Sequence, residues 1–186
     1  AEANGFKEAE FYTFYASFTA LEKNVFQTFF EHTIALLHQD EAYQEFDAKN
    51  KLLSFYFTFF EILKANRSYV VFALPQNTDM MKGLKSLSLL RESFKNYIEE
   101  LDIDTIDLKQ EFLENAKQRS LGELAWGQLL VTLKFWLDDE SANFEKTDLF
   151  IEKSIHASFD LIKTPPLASL VDFGKFLFKE KIKPMM

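Results

Sequence analysis

Cysteine is absent from this chain, and its 186 residues include only 5 glycines, 4 prolines and 3 histidines. Without cysteine there is no disulfide framework, no thiolate metal site and no sulfur nucleophile, and compartment cannot be read from redox chemistry. His32 and His38 are six residues apart, roughly 240° around a helix, and so do not form a ligand pair. No glycine-rich phosphate loop, nucleophile elbow or paired metal-ligand spacing occurs. The many carboxylates fall on solvated faces, as in "ESFKNYIEELDID". These absences point away from an enzyme, from a metal and from a cofactor.

Long apolar runs are missing as well. The longest candidate, "LLSFYFTFFEIL" (52–63), is shorter than a membrane span and carries Glu61. The N-terminus holds Glu2, Lys7, Glu8 and Glu10 where a signal peptide would be apolar. A cytoplasmic location is therefore expected. The net charge of −8 argues against a surface that binds nucleic acid everywhere, while leaving room for a local contact.

Phenylalanine is what the chain has in excess, 22 residues within an aromatic share of 16%. Such a composition implies either a large core or a cavity lined by rings. Apolar residues recur at 3.6-residue spacing nearly throughout, which predicts an all-α fold. Helices are expected over 7–14, 17–38, 42–65, 81–101, 104–118, 121–137, 144–162 and 167–181. The β-branched run in "NRSYVVFALPQNTD" has no partner strand elsewhere and reads as a short buried helix closed by Pro75. Breakers "DIDT", "DDESAN" and "KTPP" separate the later helices.

The helix over 52–63 is apolar nearly all round and must be enclosed. A pocket for a long apolar or aromatic ligand is expected beside it, lined by Phe55, Tyr56, Phe59, Phe60, Leu63, Arg67, Tyr69, Trp126 and Gln128. Glu61, Arg67 or Gln128 would be its polar anchors, and for each of them a structural pair within or between helices is the competing reading.

"NGFKEAEFYTFYASFTALEK" (4–23) resembles the end of the DNA-binding domain of tetracycline-repressor (TetR) family regulators. Gly5 matches the turn and 7–14 the recognition helix. Tyr12 and Tyr15 match the aromatic anchor, Ser17 the cap, and Ala20-Leu21 the start of the long connecting helix. The resemblance implies DNA contacts from Lys7, Glu8, Tyr12 and Thr13. It also implies a ligand-responsive regulator, in which a small hydrophobic effector tilts the connecting helix and so changes DNA affinity. Glu8 and Glu10 oppose a phosphate backbone, however, and Phe18 stands where a lysine is usual. The two helices that would support the recognition helix are not in this sequence, so operator binding is expected only with a complete N-terminal domain. The expected organisation is a partial helix-turn-helix over 1–16, a ligand-binding and dimerisation domain over 17–164, and a C-terminal amphipathic helix over 165–186.

The same resemblance implies a homodimer built on two late helices, with Leu121, Gly122, Ala125, Leu129, Phe150 and Ser154 at the interface. Gly122, Ala125 and Gly127 are small enough for close helix approach. The competing reading makes 121–137 a core helix of its own chain.

A second stretch, "FWLDDESANFEKTDLFIEKSI" (135–155), is similar to a segment of the TetR-fold lipid-binding proteins of ubiquinone biosynthesis. Trp136, Asp138, Ser141, Thr147 and Phe150 carry that similarity, although Asp138–Asn143 with Thr147 also reads as an ordinary acidic loop and helix start. This resemblance implies a lipid binder that does not read DNA. In "LASLVDFGKFLFKEKIK", Leu167, Leu170, Val171, Gly174, Leu177, Phe178 and Ile182 share one face, which would touch membranes or pack on the domain.

Overall fold

The computed structural model describes residues 8–74, 80–103 and 111–162, with side chains throughout except at 80–82 and 111–120. Lys7, residues 104–110 of the expected helix over 104–118, and the amphipathic segment over 165–186 lie outside the described residues. All the secondary structure among the described residues is helical, as the periodicity predicts.

A short α1 (Glu8–Phe14) precedes the long α2 (Phe18–His38). Ser17 starts α2 as expected, its hydroxyl accepting a hydrogen bond from the Ala20 amide at 3.1 Å. Phe26, Phe30, Thr33 and Leu37 form the buried stripe of α2 at helical spacing. Where the sequence predicts one helix over 42–65, the chain makes two, α3 (Glu41–Gln44) and α4 (Ala48–Ala65). Each has its own aspartate cap: Asp40 accepts from the Ala42 amide and Asp47 from the Asn50 amide. Two capping carboxylates seven residues apart impose a restart that apolar spacing does not reveal. The β-branched run forms α5 (Arg67–Ala73), helical as expected.

The helix expected over 81–101 is divided at Leu87 into α6 (Met80–Ser86) and α7 (Ser88–Glu100). Asp102, at φ 46°, ends the turn that follows α7 in the left-handed region that aspartate tolerates. By contrast, the helical pattern runs unbroken from Glu111 to Asp138 as α8, joining two expected helices. Ser120 and Gly122 weaken a helix by at most ~1 kcal/mol each, and without a proline nothing removes a hydrogen bond. A 3-10 turn (Ala142–Phe144) leads into α9 (Glu145–Ile162).

Helix α4 sits at the centre, with α2 and α9 against it, while α7 packs between α2 and α8. Its Phe55, Tyr56, Phe59, Phe60 and Leu63 are buried among Phe30, Phe94, Tyr97 and Trp136. Phe55 alone stacks on Phe59 at 5.5 Å and on Tyr97 at 4.9 Å between ring centres. Burying each such ring stabilises the fold by roughly 1.5–3 kcal/mol. The phenylalanine excess is thus spent, in good part, on a stacked aromatic core.

Candidate functional site

The long helices bring the residues of interest to five places: the α1–α2 junction, the surroundings of α4, the seam of α2 with α5 and α6, the α8–α9 turn, and the outer face of α8 and α9.

At the junction, the Phe11 ring stacks on Phe18 at 4.9 Å and meets Tyr12 and Tyr15. No residue of α1 is buried, and Phe14 is 78% exposed. Glu8, Tyr12 and Thr13 are solvent-facing, with the Thr13 hydroxyl donating to the Ala9 carbonyl. The first turn of α1 carries Glu8 and Glu10, and its last turn has no basic residue. Phe18, on the first turn of α2 at the position where the resemblance leads one to expect a lysine, is itself one of the rings that hold α1.

The residues expected to line a ligand pocket gather around α4 and its neighbours. Trp126 is buried against Phe94, their ring centres 6.5 Å apart. Of the three expected polar anchors, Arg67 and Gln128 are engaged inside the fold. Arg67 donates to the carbonyls of Trp136 and Leu137 at 3.2 and 3.1 Å, and its guanidinium lies 4.6 Å from the Trp136 ring centre and 4.7 Å from that of Phe144. It therefore closes the C-terminal turn of α8, satisfying carbonyls that have no partner within the helix. Gln128 donates to Ser154 at 3.2 Å and accepts from Ser158 at 3.1 Å, tying α8 to α9. Glu61 pairs with Lys64 one turn away. Each is the structural pair of the competing reading.

Tyr69 is different. Its ring rests against Phe26 and Phe29 of α2, at 6.2 and 6.3 Å, and its buried hydroxyl has no hydrogen-bond partner. Burial first, and then the nearby Glu22 carboxylate, push the Tyr69 phenol above its usual range. Glu22 itself accepts a hydrogen bond from the buried Ser86 hydroxyl at 2.7 Å.

The α8–α9 turn holds the acidic segment singled out by its similarity to lipid binders. Asp139, not Asp138, is the residue that organises it. One carboxylate oxygen accepts from the amide and hydroxyl of Ser141, and the other from the amide and hydroxyl of Thr147. Burial works against the charge, but these four hydrogen bonds outweigh it and hold the carboxyl down at about 2. Asp138 pairs instead with Lys134. Asn143 and Phe144 sit at φ 53° and 62°, a strained conformation for a phenylalanine that Arg67 braces from one side.

Outside that turn, α8 presents Leu124, Gly127, Val131 and Phe135 at helical spacing, with Leu124 72% and Val131 58% exposed. A Cβ placed on Gly127 would meet no atom within 4 Å. Beside them, Phe135, Leu149, Phe150 and Ser154 line an open groove of about 390 Å³, rimmed by Lys146 and Lys153. Phe135 and Phe150 stack at 4.7 Å across it. Of the expected interface residues, Phe150 and Ser154 lie in this groove. The others turn the opposite way. Leu129 is buried in the chain's own core, and Leu121 and Ala125 pack against that core. A Cβ on Gly122 would come within 3.3 Å of the Lys95 side chain of α7. The competing reading therefore describes that face of α8, while the outward face carries Gly127, one of the small residues noted for close approach, together with Leu124 and Val131, which sequence reasoning passed over. Since α8 is apolar on both sides, its spacing gave no signal for choosing between them.

The architecture is all-helical throughout the described residues. Residues 51–177, from the first turn of α4 to beyond α9, match the family model of the tetracyclin repressor-like, C-terminal domain. The chain belongs to the TetR family and is, in its general class, a TetR-type regulator. Proteins of this family are regulators rather than enzymes. Neither the curated proteins nor the solved structures contain a significant match to it. Among the described residues, no helix is long and apolar enough to cross a membrane.

Proposed function

We propose that the protein is a ligand-responsive regulator that works as a homodimer, with a small hydrophobic effector shifting the DNA affinity of its N-terminal end. The observation that carries this reading is the coupling of α1 to α2. The Phe11–Phe18 stack and the Ser17 cap join the two helices, so a tilt of α2 moves α1 with it. A pocket beside the aromatic wall of α4 would act on α2 directly, because the two helices are packed together. Dimerisation through the outer face of α8 and α9 would set two such ends at a fixed spacing, and dimeric readers need half-sites about one turn of DNA apart. Phe150 and Ser154, joined by Leu124, Gly127, Val131 and Leu149, would form that interface. Native mass spectrometry of the purified protein tests the reading. A dimer carrying or taking up a small apolar molecule is expected, and a monomer that retains nothing would overturn it.

One observation favours a second reading. The acidic first turn of α1 is poorly suited to a phosphate backbone. A TetR-fold lipid binder that does not read DNA, touching membranes through residues 165–186, accounts for this. Its test is vesicle association before and after deletion of residues 167–186. Equal association in the two proteins removes it.

A further inference from the structure

Glu22, Phe26 and Phe29 lie along one face of α2, and that face meets two hydroxyls from other elements. Ser86, at the end of α6, already donates to Glu22 at 2.7 Å. Tyr69, from α5, has its ring on the same stripe, against Phe26 one helical turn from Glu22, and its hydroxyl buried without a partner. Buried hydroxyls are almost always hydrogen-bonded, and an exception calls for an explanation. A carboxylate has lone pairs for several donors, so either hydroxyl suits it chemically.

We propose that Glu22 is the moving half of a two-position latch, bonded to Ser86 in the arrangement described here and to Tyr69 when α2 shifts. The exchange trades one carboxylate–hydroxyl hydrogen bond for another of the same kind, so the two positions differ little in energy. Such near-balance is what a bistable element requires. Glu22 sits about one turn after Phe18, the ring that holds α1, so a shift at the latch is transmitted to the N-terminal helix with little loss. The latch's regulatory meaning rests on the regulator reading above, whereas its existence does not.

A double-mutant cycle on the full chain tests it, using Tyr69→Phe, Ser86→Ala and the two combined. In the parent protein, Tyr69→Phe removes an unused hydroxyl and leaves Tm unchanged or raised. In the Ser86→Ala background Glu22 moves to Tyr69, and the same substitution lowers Tm by about 2–4 °C. Equal effects of Tyr69→Phe in the two backgrounds overturn the latch. Should Ser86→Ala fail to fold, carbon-13 relaxation dispersion at the Tyr69 ζ-carbon of the parent protein decides instead. Exchange that disappears in Glu22→Gln supports the proposal, and no exchange in the parent overturns it. Neither measurement uses DNA or an effector, so the latch and the regulator reading fail separately.

Discussion

Arg67 and Trp136 are 69 residues apart in the chain, yet the guanidinium lies 4.6 Å over the indole and donates to the Trp136 carbonyl at 3.2 Å. The contact joins the start of α5 to the end of α8 and supports the strained Phe144 from beneath. Replacing Arg67 with alanine should cost about 1–3 kcal/mol, as a charged donor to the Trp136 and Leu137 carbonyls is lost. Arg67→Lys should recover little of this, because an ammonium cannot stack on the indole and donate along a planar fork at once. Urea unfolding of the three proteins measures both effects. Full recovery by lysine would mean that charge alone accounts for the contact.

Acid stability should depend on Asp139. Its carboxyl is held at about 2 in the folded protein, below its ordinary 3.8. A depressed folded value means that the contribution is complete above the ordinary value. It is lost progressively as pH falls from near 4, and is gone below about 2. Asp139→Asn should therefore be less stable at neutral pH and should show a flatter loss of stability over that acid window. Thermal melts between pH 2 and 6 check this. Parallel curves for the two proteins would assign the acid sensitivity to other carboxylates.

On the outer face, Val131→Glu combined with Leu149→Lys should yield a monomer by sedimentation while leaving the helical signal and Tm nearly intact. Both side chains are more than half exposed, so neither substitution disturbs the core. A dimer that survives this pair places the interface elsewhere.

Phe59 reports on the interior. It is buried between Phe55 and Phe60, with ring centres 5.5 and 5.9 Å away. Phe59→Ala should destabilise the fold by about 3–5 kcal/mol, and the bulkier Phe59→Trp should alter effector response while the dimer persists. Loss of the dimer on Phe59→Trp would put the residue at the interface and remove it from the pocket.

Buried phenols supply one more test. The Tyr43 and Tyr97 hydroxyls meet at 2.9 Å, and Tyr97 also donates to the Lys51 carbonyl at 3.0 Å. Burial raises both above the usual phenol range. Alkaline difference spectroscopy should find these two tyrosines titrating above the ordinary phenol range, with Tyr97→Phe reducing that late fraction. Simultaneous titration of all the tyrosines below the unfolding pH would show that the pair opens readily.

Local chemistry determined a great deal on its own. Scarce glycine and proline with 3.6-residue spacing set an all-α chain, and Ser17 marked the start of α2 because a cap acts on amides within three residues. The family was legible in contiguous stretches for the same reason. Tertiary structure decided what such short-range signals cannot carry. Helix α8 is apolar on two faces, so only its packing on α7 turns Gly122 and Leu129 inward and leaves Leu124 and Val131 outside. Arg67, Gln128 and Tyr69 look alike as polar residues near an aromatic helix. Their fates differ because their partners arrive from 26 to 70 residues away, or, for the Tyr69 hydroxyl, do not arrive.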